Sequence, residues 1–203
     1  MVSLDRMKGL LVCIKEYVAV RCSNQCYRME KEEKSMGTLL NKDRERQKNG
    51  KLPRFQKYFR LAQDAKTPWM RIFYKIIFKH YKEKNCVEFS VANKIGEGLY
   101  IGHPYSITIN VNAIIGKNCN IHKGVTIGQE NRGIRKGSPI IGDCVWIGVN
   151  ATIVGKITIG DNVLIAPNSY VNCDVPSNSI VLGNPCMIKH CKDATKDYIN
   201  RIV

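Results

Sequence analysis

Residues 115–128 read Ile-Gly-Lys-Asn-Cys-Asn-Ile-His-Lys-Gly-Val-Thr-Ile-Gly, with isoleucine at every sixth place. The step continues outward on both sides, through Ile95, Ile101 and Ile109 before it and Ile141, Ile147, Ile153, Ile159, Ile165 and Val171 after it. Four positions beyond many of these stands a second small or branched residue: Ala113, Cys119, Val125, Val145, Ala151, Ile157, Val163, Ser169 and Val175. A period of six with two inward positions matches neither the helical 3.6 nor the strand 2. It is the pattern of a parallel β-helix built from hexads. Three hexads close one triangular coil of about 18 residues, and strands of successive coils lie about 4.8 Å apart. Residues 87–188 therefore form a repeat domain of about four coils, flanked by a helical segment over 1–86 and a tail over 189–203.

The rhythm breaks twice. Between Ile101 and Ile109 the step is eight, and the extra residues fall within His103-Pro104-Tyr105-Ser106. Between Ile127 and Ile141, residues Gln129 to Ser138 read as an ejected loop carrying Glu130, Arg132, Arg135 and Lys136. Insertions in solenoids map to functional loops. His103 stands in the first break with its ring directed outward. His122 follows Ile121 where most hexads have glycine, and counting hexads places it one coil above Gly102, so the two imidazoles are expected as neighbours beside the basic loop. An imidazole titrates near neutrality and suits a general base that deprotonates a hydroxyl; a carboxylate, Glu88, is available to orient it.

Outside the repeats the chain changes character. Of 32 Lys+Arg, residues 1–86 hold 21 against 9 Asp+Glu, and the rest hold 11 against 8. Most of the net charge of +15 thus belongs to the helical segment, and no nucleic-acid recognition motif accompanies it. Apolar residues at helical spacing predict a helix from Leu4 to about Tyr27; residues 30–52 are charged and end in the turn signal Asn49-Gly50. A second helix starts near Pro53. A third begins after Pro68 and ends by Asn85, with Trp69, Ile72, Phe73, Ile76, Ile77 and Tyr81 among lysines and arginines. That helix is read as packing on the β-domain or on another subunit, with peripheral membrane contact as the competing reading. His80 on it has no assigned role. Asp193 to Val203 has the length of a short C-terminal helix. Nine cysteines without paired spacing read as reduced thiols, and Cys22 with Cys26 reads as buried apolar residues in preference to a metal site. The apolar run Gly9 to Ile14 is too short for a membrane span or a signal peptide, so the expected address is cytoplasmic.

The run from Lys94 to His103, the stretch 115–128 and the closing Gly183-Asn-Pro-Cys-Met-Ile188 together resemble the serine acetyltransferase branch of the hexapeptide acyltransferases. The resemblance implies a left-handed parallel β-helix, a homotrimer, possible pairing of trimers, and an active site between subunits where acetyl-CoA lies along the coils. It implies direct acetyl transfer with no acyl-enzyme and no metal. His103 falls on the family's catalytic histidine and Glu88 on its orienting aspartate, with His122 a third catalytic candidate. Gly148, Val149 and Pro167 fall on cofactor-lining positions. Cys173 and Met187 stand where relatives carry a basic pair for the phosphates, which leaves Lys189 as the candidate there.

Two departures bear on the acceptor. Gly137-Ser138 precedes Pro139 where serine enzymes carry Arg-His, and Gly102 stands where an aspartate precedes the catalytic histidine. Both favour a sugar or other small-molecule hydroxyl, with Tyr105, Arg132 and Arg135 as substrate-binding candidates and L-serine as the runner-up. Two readings from other classes are a β-helical zinc enzyme, which needs three histidine ligands where this face has two, and a scaffold whose basic helices bind lipid or nucleic acid.

Overall fold

The computed structural model describes residues 38–203, within one compact unit, Gly37–Val203. The helix expected over Leu4–Tyr27, and Cys22 with Cys26, lie outside the described residues.

The six-residue step becomes four coils. The first coil is β1 (Lys94–Ile95), β2 (Tyr100–Gly102) and β3 (Thr108–Ile109); the second is β4 (Ile114–Ile115), β5 (Asn120–His122) and β6 (Thr126–Gly128). The third is β7 (Ile140–Ile141), β8 (Trp146–Ile147) and β9 (Thr152–Val154); the fourth is β10 (Thr158–Ile159), β11 (Val163–Ile165) and β12 (Tyr170–Val171). Each strand pairs in parallel with its counterpart one coil on, giving three faces: β1-β4-β7-β10, β2-β5-β8-β11 and β3-β6-β9-β12. The register aligns the aliphatic residues into columns. Ile101 pairs with Ile121, Ile121 with Ile147 and Ile147 with Ile165. All twelve are buried, as are the second inward residues from Ala113 to Val175. Asparagines at the corners adopt positive φ, among them Asn118, Asn150, Asn162, Asn168 and Asn178, because Asn tolerates the left-handed conformation that sharp turns require.

The second face continues into β13 (Ser179–Leu182), and β14 (Met187–His190) folds back antiparallel onto it. Here the chain departs from expectation: Asp193 to Val203 forms turns and no helix. Asp197 and Arg201 hold positive φ, which a helix does not admit. The segment descends one corner of the prism. Cys191 donates to the Asn178 carbonyl at 2.7 Å, Thr195 to Asn162 at 2.6 Å, and the Val203 amide to Asn118 Oδ1 at 3.0 Å.

Three helices cover the opposite end: α1 (Thr38–Arg46), α2 (Arg54–Asp64) and α3 (Pro68–Lys84). The second and third begin at Pro53 and Pro68 and α3 is capped by Asn85, as the proline positions predict. Helix α1 is not visible in hydropathy, because its buried face is Leu40, Asp43 and Arg46. Asp43 and Arg60, both fully buried, form an ion pair at 2.8 Å. Asp43 also accepts from the Leu99 amide, and Arg60 donates to the carbonyls of Ile95 and Gly96. The helices are thereby bonded to the exposed backbone of the first coil, the edge that a solenoid must cover.

Helix α3 is apolar on two sides. Met70, Tyr74 and Phe78 face inward, where Phe55, Phe59, Phe78 and Phe89 cluster with Phe59 and Phe89 centroids 5.0 Å apart. Trp69, Ile72, Phe73 and Ile76 face outward, Trp69 being 54% exposed, so four of the six apolar residues expected to make the packing lie outside it, and Met70, Tyr74 and Phe78 make it instead. No helix among the described residues is long and apolar enough to cross a membrane.

Candidate active site

The eight-residue step puts His103 just beyond β2, at the corner between the second and third faces, exposed and at φ 54°. Register carries this corner upward. Gly102 pairs with His122, Ile121 with Ile147 and Ile147 with Ile165, so His103, Lys123, Val149 and Pro167 succeed one another along a single edge. The Asn150 amide donates to the Lys123 carbonyl and the Asn168 amide to the Val149 carbonyl, which fixes that order. The candidate base and the candidate cofactor positions thus share one edge of the prism. Gly148, beside Val149, has room for no side chain, since a Cβ there would stand 2.6 Å from the Pro167 nitrogen.

His122 sits on the second face, one step inward from this edge. Its Nδ1 lies 3.0 Å from the Ile147 carbonyl. Only a protonated nitrogen donates to a carbonyl, so the neutral ring carries its proton on Nδ1 and leaves Nε2 unprotonated. Burial and, to a lesser extent, the nearby His103 push the His122 pKa down, against the pull of the Ile147 bond. Gly102 makes the space: a Cβ there would meet His122 Cδ2 at 2.6 Å and Nε2 at 2.8 Å. An aspartate at 102 and the observed His122 ring position exclude one another.

The other candidates are dispersed. Glu88 is exposed and bridges Thr108 on the third face; no hydrogen bond joins it to His103. It borders a cavity of about 510 Å³ with Lys82, Ser106 and Thr108. Tyr105 is exposed within the insert. The loop from Gln129 to Ser138 is pinned as a hairpin by paired bonds between Glu130 and Gly137, and it leaves the corner between the third and first faces. Arg132 and Arg135 are exposed there. The expectation of both histidines beside the basic loop is therefore not met within one chain, because the third face separates them. Lys189 is exposed on β14, paired with Ile180 above the second face. Among the described residues no group of three His, Cys, Asp or Glu side chains is arranged to hold a metal.

Two features escaped the sequence. The Trp146 ring packs 4.7 Å from His122 and 5.0 Å from Tyr198. Arg46, 4% exposed, reaches from α1 to the Asn118 carbonyl and to Asn120 Oδ1. Trp146 was accessible to counting, since it lies in the column Tyr100, Asn120, Trp146. Nothing in the sequence signals that Arg46 turns inward.

Comparison with known proteins agrees with this architecture. Residues 138–173 match the family described as bacterial transferase hexapeptide (six repeats). Serine acetyltransferase 3, mitochondrial, of Arabidopsis thaliana is 34% identical over 139 residues, covering 68% of this chain and 36% of that protein. The serine acetyltransferase of Staphylococcus aureus is 40% identical over 99 residues, covering 49% and 46%. The crystal structure of serine acetyltransferase from Brucella abortus superimposes with a TM-score of 0.58 at 27% identity over 70% of this chain and 57% of that one. Soybean serine acetyltransferase complexed with serine gives 0.55 at 28%, covering 66% and 56%. The fold is the left-handed parallel β-helix of the hexapeptide-repeat transferases. Within that class, the chain is similar to the serine acetyltransferase branch of hexapeptide-repeat acetyltransferases. It spans less than half the length of these two sequence relatives.

Proposed function

We propose that this protein transfers acetyl from acetyl-CoA to the hydroxyl of a small molecule. The observation that carries the reading is the shared edge: His103, Val149 and Pro167 follow one another up the coils, so a donor lying along them meets an outward imidazole at its end. His103 is the general base. It takes the acceptor's hydroxyl proton as the oxygen attacks the thioester carbonyl, and returns it to the departing sulfur as the carbon–sulfur bond breaks. His122, neutral and with Nε2 free to accept, holds the hydroxyl in line. Glu88 acts on His103 only if the side chains move together, since no bond joins them here. Gly148, Val149 and Pro167 line the pantetheine and Lys189 meets a phosphate. The active molecule is a homotrimer, in which a neighbouring chain's loop supplies Arg132, Arg135 and the side of the site that one chain leaves open. A cytoplasmic address goes with this reading.

For the acceptor, the relatives' names support L-serine better than the sugar expected from the sequence. One observation keeps a sugar hydroxyl as the second reading: the His122 ring fills the space of the aspartate expected at 102. Release of CoA, measured with L-serine and with a panel of free, nucleotide-linked and lipid-linked sugars, separates the two. Release with L-serine alone supports the relatives' reaction, and release confined to a sugar supports the second. No release with any hydroxyl acceptor contradicts acetyl transfer.

A further inference from the structure

A cleft of about 510 Å³ opens on the outer side of the second face, between the loop following α1 and the C-terminal tail. Its walls carry Arg46, Lys48, Lys51 and Arg201, and no carboxylate is among its described lining residues. Four cations converging without an acidic partner set up a positive potential that favours an anion. Arg46 makes this a built site. Its guanidinium is buried, its Nη atoms bond only neutral oxygens among the described residues, the Asn118 carbonyl and Oδ1 and the Asn120 Oδ1, and its Nε has no partner. Asp43, one turn back on the same helix, is engaged by Arg60, Gln56 and the Leu99 amide. Burial lowers the Arg46 pKa, the sign of a positive charge held without full compensation.

The floor of the cleft holds Trp146 and His122 with rings in contact, which gives a stacking surface beside an imidazole whose accepting nitrogen faces Gly102. His122 thus belongs both to the cleft and to the histidine pair. We propose that this cleft is the acceptor site and that it takes an acceptor bearing a negatively charged group, a phosphate or a carboxylate. Arg46, Lys48, Lys51 and Arg201 hold that group while the hydroxyl to be acetylated reaches the histidines. Both acceptor readings above admit this chemistry, and the inference rests on the acetyltransferase reading for the reaction alone.

The test is calorimetric titration of the full chain with inorganic phosphate and, separately, with acetate, repeated on a Lys48→Gln/Lys51→Gln protein, an Arg201→Gln protein and a Lys94→Gln control outside the cleft. Saturable binding weakened at least tenfold in the double variant and unchanged in the control supports the site. Preference for phosphate identifies a phosphorylated acceptor, and preference for acetate an acid. Absence of saturable binding, or affinities equal in all four proteins, overturns it. Titration in the presence of saturating CoA separates the two proposals. Displacement of the anion by CoA overturns the acceptor assignment and gives the cleft to the donor's phosphates. Anion binding in a protein that binds no CoA supports the cleft and overturns the acetyl-transfer reading.

Discussion

Replacing Gly102 by alanine adds one carbon where the His122 ring already lies, at 2.6 Å from Cδ2 and 2.8 Å from Nε2, both inside van der Waals contact. The backbone at 102 is outside the left-handed region, so the substitution carries no conformational penalty of its own and gains about 0.5 kcal/mol from the stiffer unfolded chain. The ring must then turn. Turning breaks its bond to the Ile147 carbonyl, about 1 kcal/mol, and leaves it off-rotamer, about another 1 kcal/mol. The net expectation is about 1.5 kcal/mol of lost stability in Gly102→Ala, together with slower acetyl transfer. The assay is a double-mutant cycle with His122→Ala, reading urea denaturation and CoA release. In the His122→Ala background the obstruction is gone, and Gly102→Ala becomes neutral or slightly stabilising. Equal losses in both backgrounds would refute the claim that Gly102 is glycine to admit the imidazole.

Asp43→Asn leaves the fully buried Arg60 without its charge partner, and urea denaturation should show a loss of about 3–5 kcal/mol, against little change for Lys79→Gln in an exposed pair. His122 has a lowered pKa, so the unfolded chain binds its proton more tightly than the folded one. Its contribution is constant above the ordinary histidine range and costs stability as pH falls below about 6.5. Denaturation midpoints at pH 5 and 7.5 should therefore differ more in the parent protein than in His122→Asn. Burial pushes the Cys119 thiol up to about 12, whereas Cys86 is exposed; mapped alkylation of the native protein should label Cys86 and spare Cys119. Preferential labelling of Cys119 would mean that the coil opens in solution.

The hexad period was enough to locate every coil, because a strand of two or three residues inside a solenoid is determined by which side chain points inward, and only the aliphatic column meets that demand. The His103 insert and the loop from Gln129 to Ser138 were equally legible, as departures from a strict count. The count gave the order of residues along an edge, but the loop's position relative to His103 depends on which corner it leaves, and that placed a whole face between them. What the sequence concealed was polar burial. Nothing in the sequence marks Asp43, Arg46 and Arg60 for burial, since burial of an ion pair depends on partners 17 or more residues away, such as Asp43 with Arg60 and Leu99. The C-terminal segment shows the same limit: its helical composition yields to side chains of Asn162 and Asn118 that it meets across the corner.

The central claim is that the outward imidazole at the end of the shared edge is the base. It is tested most directly by the rate of CoA release from acetyl-CoA by His103→Ala and the parent protein, with CoA binding measured in both. The variant is expected to keep its affinity for CoA and to lose about 10²- to 10⁴-fold in rate. A His103→Ala protein that keeps most of its transfer rate would contradict it.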